Sequence, residues 1–207
     1  MSIQNAYNQW ATSYDSDHNR TRDLDQQLMR ELLQGQEYQA ILELGCGTGK
    51  NTQFFSTLGA EVVALDFSAG MLAQARSKIN ASHVHFQQAD LTQAWPVASG
   101  HFDLVVTNLV LEHLADLDHF FAQASQAMSV NGQLVVSELH PFRQYQGSQA
   151  RFQGQEGIIQ VPAFTHHISD FLLAAAKAGL QLSQLHEHWH TDDLNQPPRL
   201  LTLRWHK

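Results

Sequence analysis

The chain has 207 residues, 43% of them hydrophobic, enough for one domain with a full core. Its 12 Lys and Arg against 20 Asp and Glu leave a formal net charge of −8, which argues against a nucleic acid partner, whose phosphates need clustered basic residues. No run approaches the ~18 apolar residues of a membrane span and residues 1–5 lack a basic-then-apolar leader pattern, so a cytoplasmic protein away from membranes is expected.

In chain order, residues 1–38 come first as an N-terminal segment in which Tyr7, Trp10 and Tyr14 recur at spacings of three and four, one face of a helix. That face either covers a site as a lid or packs on the core, and Asn19, Arg20, Arg22 and Asp23 follow it with charge suited to an anionic ligand. A buried strand is expected near 40–44, then a turn with Gly45, Gly47 and Gly49, where the missing Cβ lets a ligand approach the backbone. Leu44 and Asn51 stand where a P-loop needs Gly and Ser or Thr, and Lys50 where a dinucleotide fingerprint needs Gly, so neither phosphate-binding loop fits. Cys46, the single cysteine, suits a small semi-buried place in this loop better than a nucleophile. A helix over Thr48–Leu58 follows, stopped by Gly59, and a strand over 61–66 ends on Asp66. Ser68–Asn80 and Asp116–Met128 are predicted helices with Ser68 and Asp116 as N-caps, and strands are expected at 84–88, 102–108 and 132–138, the last entered at Gly132. Beyond an interval of 140–167, a helix over Ser169–Ala178 ends at Gly179, and Leu180–Trp189 and Arg199–His206 form an antiparallel hairpin at the sheet edge across Asn195, Pro197 and Pro198. Strands alternating with helices predict an α/β fold, a parallel sheet with helices on both faces, in a single domain.

Ligands of such sheets lie at the carboxyl ends of the strands, which directs attention to Asp66, Asp90 and Asn108. The run 41–49, Ile-Leu-Glu-Leu-Gly-Cys-Gly-Thr-Gly, is joined by 66–75, Asp-Phe-Ser-Ala-Gly-Met-Leu-Ala-Gln-Ala, a D-x-S-x-x-M-L-x-x-A pattern, and by the lid segment 7–15 with its Tyr14-Asp15. These motifs resemble the class I S-adenosylmethionine-dependent methyltransferases of the type 11 domain, the group with the ubiquinone and menaquinone C-methyltransferases and the malonyl-thioester O-methyltransferases; the resemblance spans residues 41 to 138. It implies a Rossmann-like, seven-stranded, mostly parallel sheet with an antiparallel C-terminal hairpin, an N-terminal lid over 1–38, a cofactor core over 39–139, an acceptor-side insertion over 140–167 and a C-terminal unit over 168–207.

The implied cofactor is S-adenosylmethionine. By the resemblance, Gly45, Cys46, Gly47 and Gly49 pack against its methionine part, Glu43 accepts from backbone amides or the ammonium, and Asp66 accepts from the ribose hydroxyls. Phe67 and Met71 offer apolar surface to adenine, although a Met at helical spacing is more often core than contact; Asp90 accepts from the adenine amine and Leu91 packs on the ring. Asn108 flanks the methionine and the methyl, His113 either lines the site there or starts a helix, and Tyr14 closes the site from the lid.

The expected reaction is O-methylation of a small acidic or hydroxylated metabolite, with carbon and nitrogen acceptors open. His140, just after the fifth strand, is the predicted base, since an imidazole there suits proton acceptance near neutrality. Trp10, Arg143, Tyr145, Arg151 and His167, with Phe152 and His166 beside them, are the predicted acceptor side, aromatic and locally basic; a solvated loop is the other reading. His186, His188 and His190 share a strand face at a period of two, but far from the cofactor mouth, and no metal is expected. The competing function is a non-catalytic S-adenosylmethionine or S-adenosylhomocysteine binder or regulatory subunit.

Overall fold

A computed structural model describes residues 2–154, 157–193 and 195–207. Met1 of the predicted lid and Gln155 and Glu156 of the predicted insertion lie outside the described residues. In chain order the elements are α1 (Ile3–Trp10), α2 (Arg20–Leu33), β1 (Tyr38–Leu44), α3 (Thr52–Phe55), β2 (Gly59–Asp66), α4 (Ala69–Lys78), β3 (Val84–Gln88), β4 (Phe102–Asn108), α5 (Leu117–Ala127), β5 (Met128–Leu139), α6 (Pro141–Tyr145), β6 (Arg151–Gly154), β7 (Gly157–Gln160), α7 (Ile168–Lys177), β8 (Gln181–His188) and β9 (Leu200–His206).

Seven strands form one sheet in the order β3-β2-β1-β4-β5-β9-β8. β1 to β5 run parallel, and β9 lies antiparallel between β5 and β8. Central strands must be apolar on both faces, and Ile41, Leu42 and Leu44 of β1 with Leu104, Val105 and Val106 of β4 are fully buried accordingly. Strand order reverses between β1 and β4, so a crevice opens beyond their carboxyl ends. The helix starts follow capping chemistry: Ser68 accepts from the Met71 N–H at 3.1 Å and Asp116 from the His119 N–H at 2.9 Å.

Three expectations are corrected. The helix over Thr48–Leu58 shrinks to the four residues of α3, because Gly47 and Gly49 take positive φ (54° and 81°) and the loop consumes its first turn. Gly132 does not precede the fifth strand but lies within β5, where a Cβ would meet the Phe102 carbonyl at 2.9 Å; the register with β4 shifts beside it, between Phe102 and Leu104. The 140–167 interval is not a solvated loop: it carries α6 and the two-stranded β6–β7 hairpin.

That hairpin positions the lid. Phe152 of β6 stacks on Trp10 of α1 with ring centroids 5.0 Å apart, within an apolar cluster that includes Ala6, Ala11, Met71 and Val161. On the other side of α1, the Asn8 side chain accepts from Ser68 Oγ at 2.7 Å and from the Gly70 N–H at 3.0 Å. α1 is therefore docked over α4 and across the mouth of the crevice.

Candidate active site

Two cavities occupy the carboxyl end of the sheet. The smaller, about 320 Å³, is lined by Gly45, Gly47, Asp66, Phe67, Met71 and Asp90. Leu91, Asn108 and His113 complete its floor and Tyr14 its roof, so the structure brings together ten of the thirteen residues assigned to the cofactor from sequence. The other three stand behind it. Glu43 is buried under a hydrogen bond from Thr52 Oγ1, Cys46 packs with Ala64 and Leu72, and Gly49 lies where a Cβ would press Ile79 at 2.9 Å. Burial pushes the Cys46 thiol well above its usual range, which removes it as a nucleophile.

The polar groups of this cavity are held in place and partly unspent. Asp66 accepts the Gly47 N–H on one oxygen and the Ser68 N–H on the other, both at 2.8 Å, which leaves each oxygen capacity for a ligand hydroxyl. Burial pushes its carboxyl up to about 6. Asn108 Nδ2 donates to Asp25 of α2 at 2.8 Å, and Asn108 Oδ1 is buried without a partner among the described residues. An orphan acceptor in the wall fits the ammonium of an amino acid moiety, and Gly47, where a Cβ would meet nothing within 4 Å, leaves room for the ligand. The residues present therefore fit S-adenosylmethionine.

Sequence reasoning missed Asp25 and Glu138, which touch no ligand space but set the site. Asp25 also accepts from Asn51 Nδ2 at 2.8 Å, and Glu138 takes the N–H groups of Val110 and Leu111, each at 2.8 Å, fixing the turn after β4. Only burial distinguishes them from surface acids, and burial of single acids is not written in the sequence.

The larger cavity, about 650 Å³, shares Tyr7, Tyr14 and Leu109 with the smaller. Trp10, Arg143 and Arg151 line it as expected, joined by Arg20, Arg22 and Arg199. Tyr145 and His167 do not: two residues after Arg143, Tyr145 leaves α6 on another side and meets His167 Nδ1 at 2.6 Å on the surface. His166 is engaged by the Leu114 carbonyl at 2.7 Å. The bonding at His140 also departs from expectation. Its Nδ1 caps α6 by accepting the Phe142 N–H at 3.1 Å, its Nε2 donates to Glu187 at 2.9 Å, and its side chain is 1% exposed outside both cavities. With both nitrogens engaged, it anchors α6 to β8 instead of meeting an acceptor. His140→Ala is expected to cost about 1–2 kcal/mol of folding stability, the value of a lost cap and its hydrogen bond, with S-adenosylhomocysteine affinity unchanged; urea unfolding and calorimetry read the two.

A different histidine stands where the cavities meet. The His113 Nδ1 proton goes to the Pro162 carbonyl at 3.0 Å, so Nε2 is the acceptor, and the Tyr7 hydroxyl donates to it at 2.7 Å. Burial holds His113 below its ordinary range and Tyr7 well above its own, which keeps the pair neutral. Glu112, its carboxyl 3.7 Å from the same Nε2, faces the larger cavity and is pushed up to about 7 by burial. At the sheet edge β8 ends at His188, so His190 leaves the predicted histidine face, and His188 is bonded to Thr202 at 2.8 Å. Among the described residues, no three metal-binding side chains gather as a site.

Buried acids give the fold a pH signature. Glu43 and Glu138 are raised to about 8 and Glu112 to about 7, all by burial. From about pH 4.5 up to those values the folded chain holds protons that the unfolded chain has lost, so stability falls as pH rises, by about 1.4 kcal/mol per unit for each proton. His113, His140 and His188 are lowered by burial and oppose this below about pH 6.5, where the unfolded chain takes up protons first. The ligand-free protein is therefore expected to melt at a lower temperature at pH 8.5 than at pH 6.5 in differential scanning calorimetry.

Comparison with known proteins bears on the family and the fold. Residues 42–136 match the methyltransferase domain family. An uncharacterized methyltransferase of Emericella nidulans is 28% identical over 87% of this chain and 76% of its own length. A malonyl-[acyl-carrier protein] O-methyltransferase of Enterobacter lignolyticus is 33% identical over 59% of this chain, and the match spans only 47% of that relative. The N-methyltransferase NodS of Bradyrhizobium japonicum, solved with S-adenosyl-L-homocysteine, superposes with a TM-score of 0.75 at 17% identity, covering 100% of this chain and 99% of that one, a likeness of fold. No helix among the described residues is long and apolar enough to cross a membrane. The chain thus carries a methyltransferase domain over residues 42–136 and the fold of the class I S-adenosylmethionine-dependent methyltransferases, and the residues of its glycine turn and strand ends fit S-adenosylmethionine as the cofactor.

Proposed function

We propose that this protein transfers the methyl group of S-adenosylmethionine to an oxygen of a small acidic or hydroxylated acceptor. The supporting observation is the wall of Tyr7, Tyr14 and Leu109 common to the two cavities, which sets a basic acceptor chamber directly against the cofactor chamber. When bound, the cofactor supplies an electrophilic sulfonium methyl. The remaining work belongs to the chain: Asp66, Asn108 and the glycine turn hold and orient, while the docked lid with Trp10 on Phe152 excludes water. Tyr7 and His113 accept the proton of a hydroxyl nucleophile, the tyrosine passing its own proton to His113 Nε2 as it takes the acceptor's.

The test is incubation of the purified protein with S-adenosylmethionine and a panel of mono- and dicarboxylic acids, hydroxy acids and amines, reading S-adenosylhomocysteine and methylated product by mass spectrometry. Transfer to acids or hydroxy acids is expected. Transfer to amines alone overturns the oxygen assignment, and tight cofactor binding with no transfer favours a binding protein.

A further inference from the structure

Five arginines line the larger cavity of a chain whose net charge is −8, and their partners differ. Arg199 is satisfied by Asp193 through two contacts of 2.6 Å, and this pairing holds the Asp193 carboxyl down at about 2. Arg20 pairs with Asp192 at 3.1 Å on the surface. Arg22 spends its donors on the Tyr14 and Asp17 carbonyls, 2.6 and 2.7 Å away, and stacks 3.9 Å over the Tyr14 ring, with no carboxylate within 4 Å among the described residues.

Arg143 approaches Asp193 at 3.1 Å, but that carboxylate is already spanned by Arg199. That contact is made by Nη2 as an ion pair without hydrogen-bond geometry, and Nε is buried with no hydrogen-bond partner among the described residues. Arg151, exposed on β6, has no carboxylate within 4 Å among the described residues. With Asp193 shared between Arg143 and Arg199, the guanidinium charges lining the chamber outnumber their carboxylate partners among the described residues, against Glu112, which burial keeps only partly ionised near neutrality. Buried donors without partners are costly in the empty chamber and are repaid by a ligand that fills them.

We propose that the acceptor enters this chamber by a doubly charged oxyacid handle, a phosphoryl group or a pair of carboxylates, held by Arg143 and Arg151 within the field of Arg22. This rests on the methyltransferase reading and names the substrate class of its acceptor site. A single carboxylate would leave one of the two arginines unused, whereas a dianion takes charge-assisted bonds from both. The chamber's volume of about 650 Å³ suits a small molecule.

The test uses the full chain saturated with S-adenosylhomocysteine at pH 7.5 and low ionic strength, titrated calorimetrically with inorganic phosphate, malonate and acetate. One of the two dianions is expected to bind at least about tenfold more tightly than acetate, and which one does so assigns the handle. Arg143→Gln and Arg151→Gln should each weaken that dianion about tenfold with S-adenosylhomocysteine affinity unchanged, while Lys177→Gln, at a remote surface pair with Asp118, changes neither. Arg151 lies on an exposed strand, so its variant decides the matter even where Arg143→Gln perturbs folding. Acetate binding as tightly as both dianions, or dianion binding indifferent to both substitutions, overturns the proposal. Failure of S-adenosylhomocysteine to bind strikes instead at the methyltransferase reading, and the same anion titrations on the ligand-free chain still decide the chamber's preference.

Discussion

Asp66→Ala is expected to weaken S-adenosylmethionine and S-adenosylhomocysteine together by about a hundredfold in calorimetric titration, close to 3 kcal/mol, because two charge-assisted hydrogen bonds disappear. Equal loss for both ligands is the informative part: they share the ribose but differ at the sulfur. The wild-type carboxylate carries one backbone bond on each oxygen, so it is aimed before any ligand arrives and little ordering entropy is left to lose. Because burial holds this carboxyl up at about 6, affinity should already fall between pH 7 and 5, as protonation removes an acceptor. Asp66→Asn separates charge from shape: it keeps one acceptor and should sit between wild type and alanine. An alanine variant with unchanged affinity would remove the ribose role from this residue.

Asp66 was legible in the sequence because an acid that ends a short apolar strand of a parallel sheet stands at the ligand-binding edge, and the same logic located Asp90 and Asn108. The sheet itself was legible for a related reason, since β1 and β4 are buried on both faces and read as continuous apolar runs. His140 and His113 show where that logic stops. Both follow the ends of neighbouring strands, at β5 and β4, and sequence favoured the first as base because it stands just after the fifth strand, where the sheet opens toward the transferred methyl. Their difference lies in long-range partners: Glu187 is 47 residues from His140, whereas Pro162 and Tyr7 reach His113 from 49 and 106 residues away. Strand-end position survives translation into three dimensions, but tautomer and access depend on contacts between distant segments. The hairpin over 151–160 escaped notice because its strands are four residues each, too short to display a period of two convincingly.

Tyr7 and His113 supply the sharpest kinetic contrast. Tyr7→Phe and His113→Gln are each expected to lower turnover of a hydroxylated acceptor by about a hundredfold or more, the usual contribution of a positioned proton acceptor. S-adenosylhomocysteine affinity should change by less than about tenfold, since the lost hydrogen bond is neutral and worth about 1 kcal/mol. The defect should fall on kcat with little change in KM, because the proton moves only as the carbon–oxygen bond forms. The pH profile adds a signature that a merely structural role would not move. Wild-type rate should decline on the acid side as His113 gains a proton, at a pH below the ordinary imidazole range because burial lowers it. In His113→Gln that acid limb should vanish. An acceptor methylated on an already ionised carboxylate has no proton to lose, so with such a substrate both variants should remain near wild type. The ratio of the two effects then reports which oxygen receives the methyl: the one beside Tyr7 that must shed a proton, or the acid group that the arginines hold.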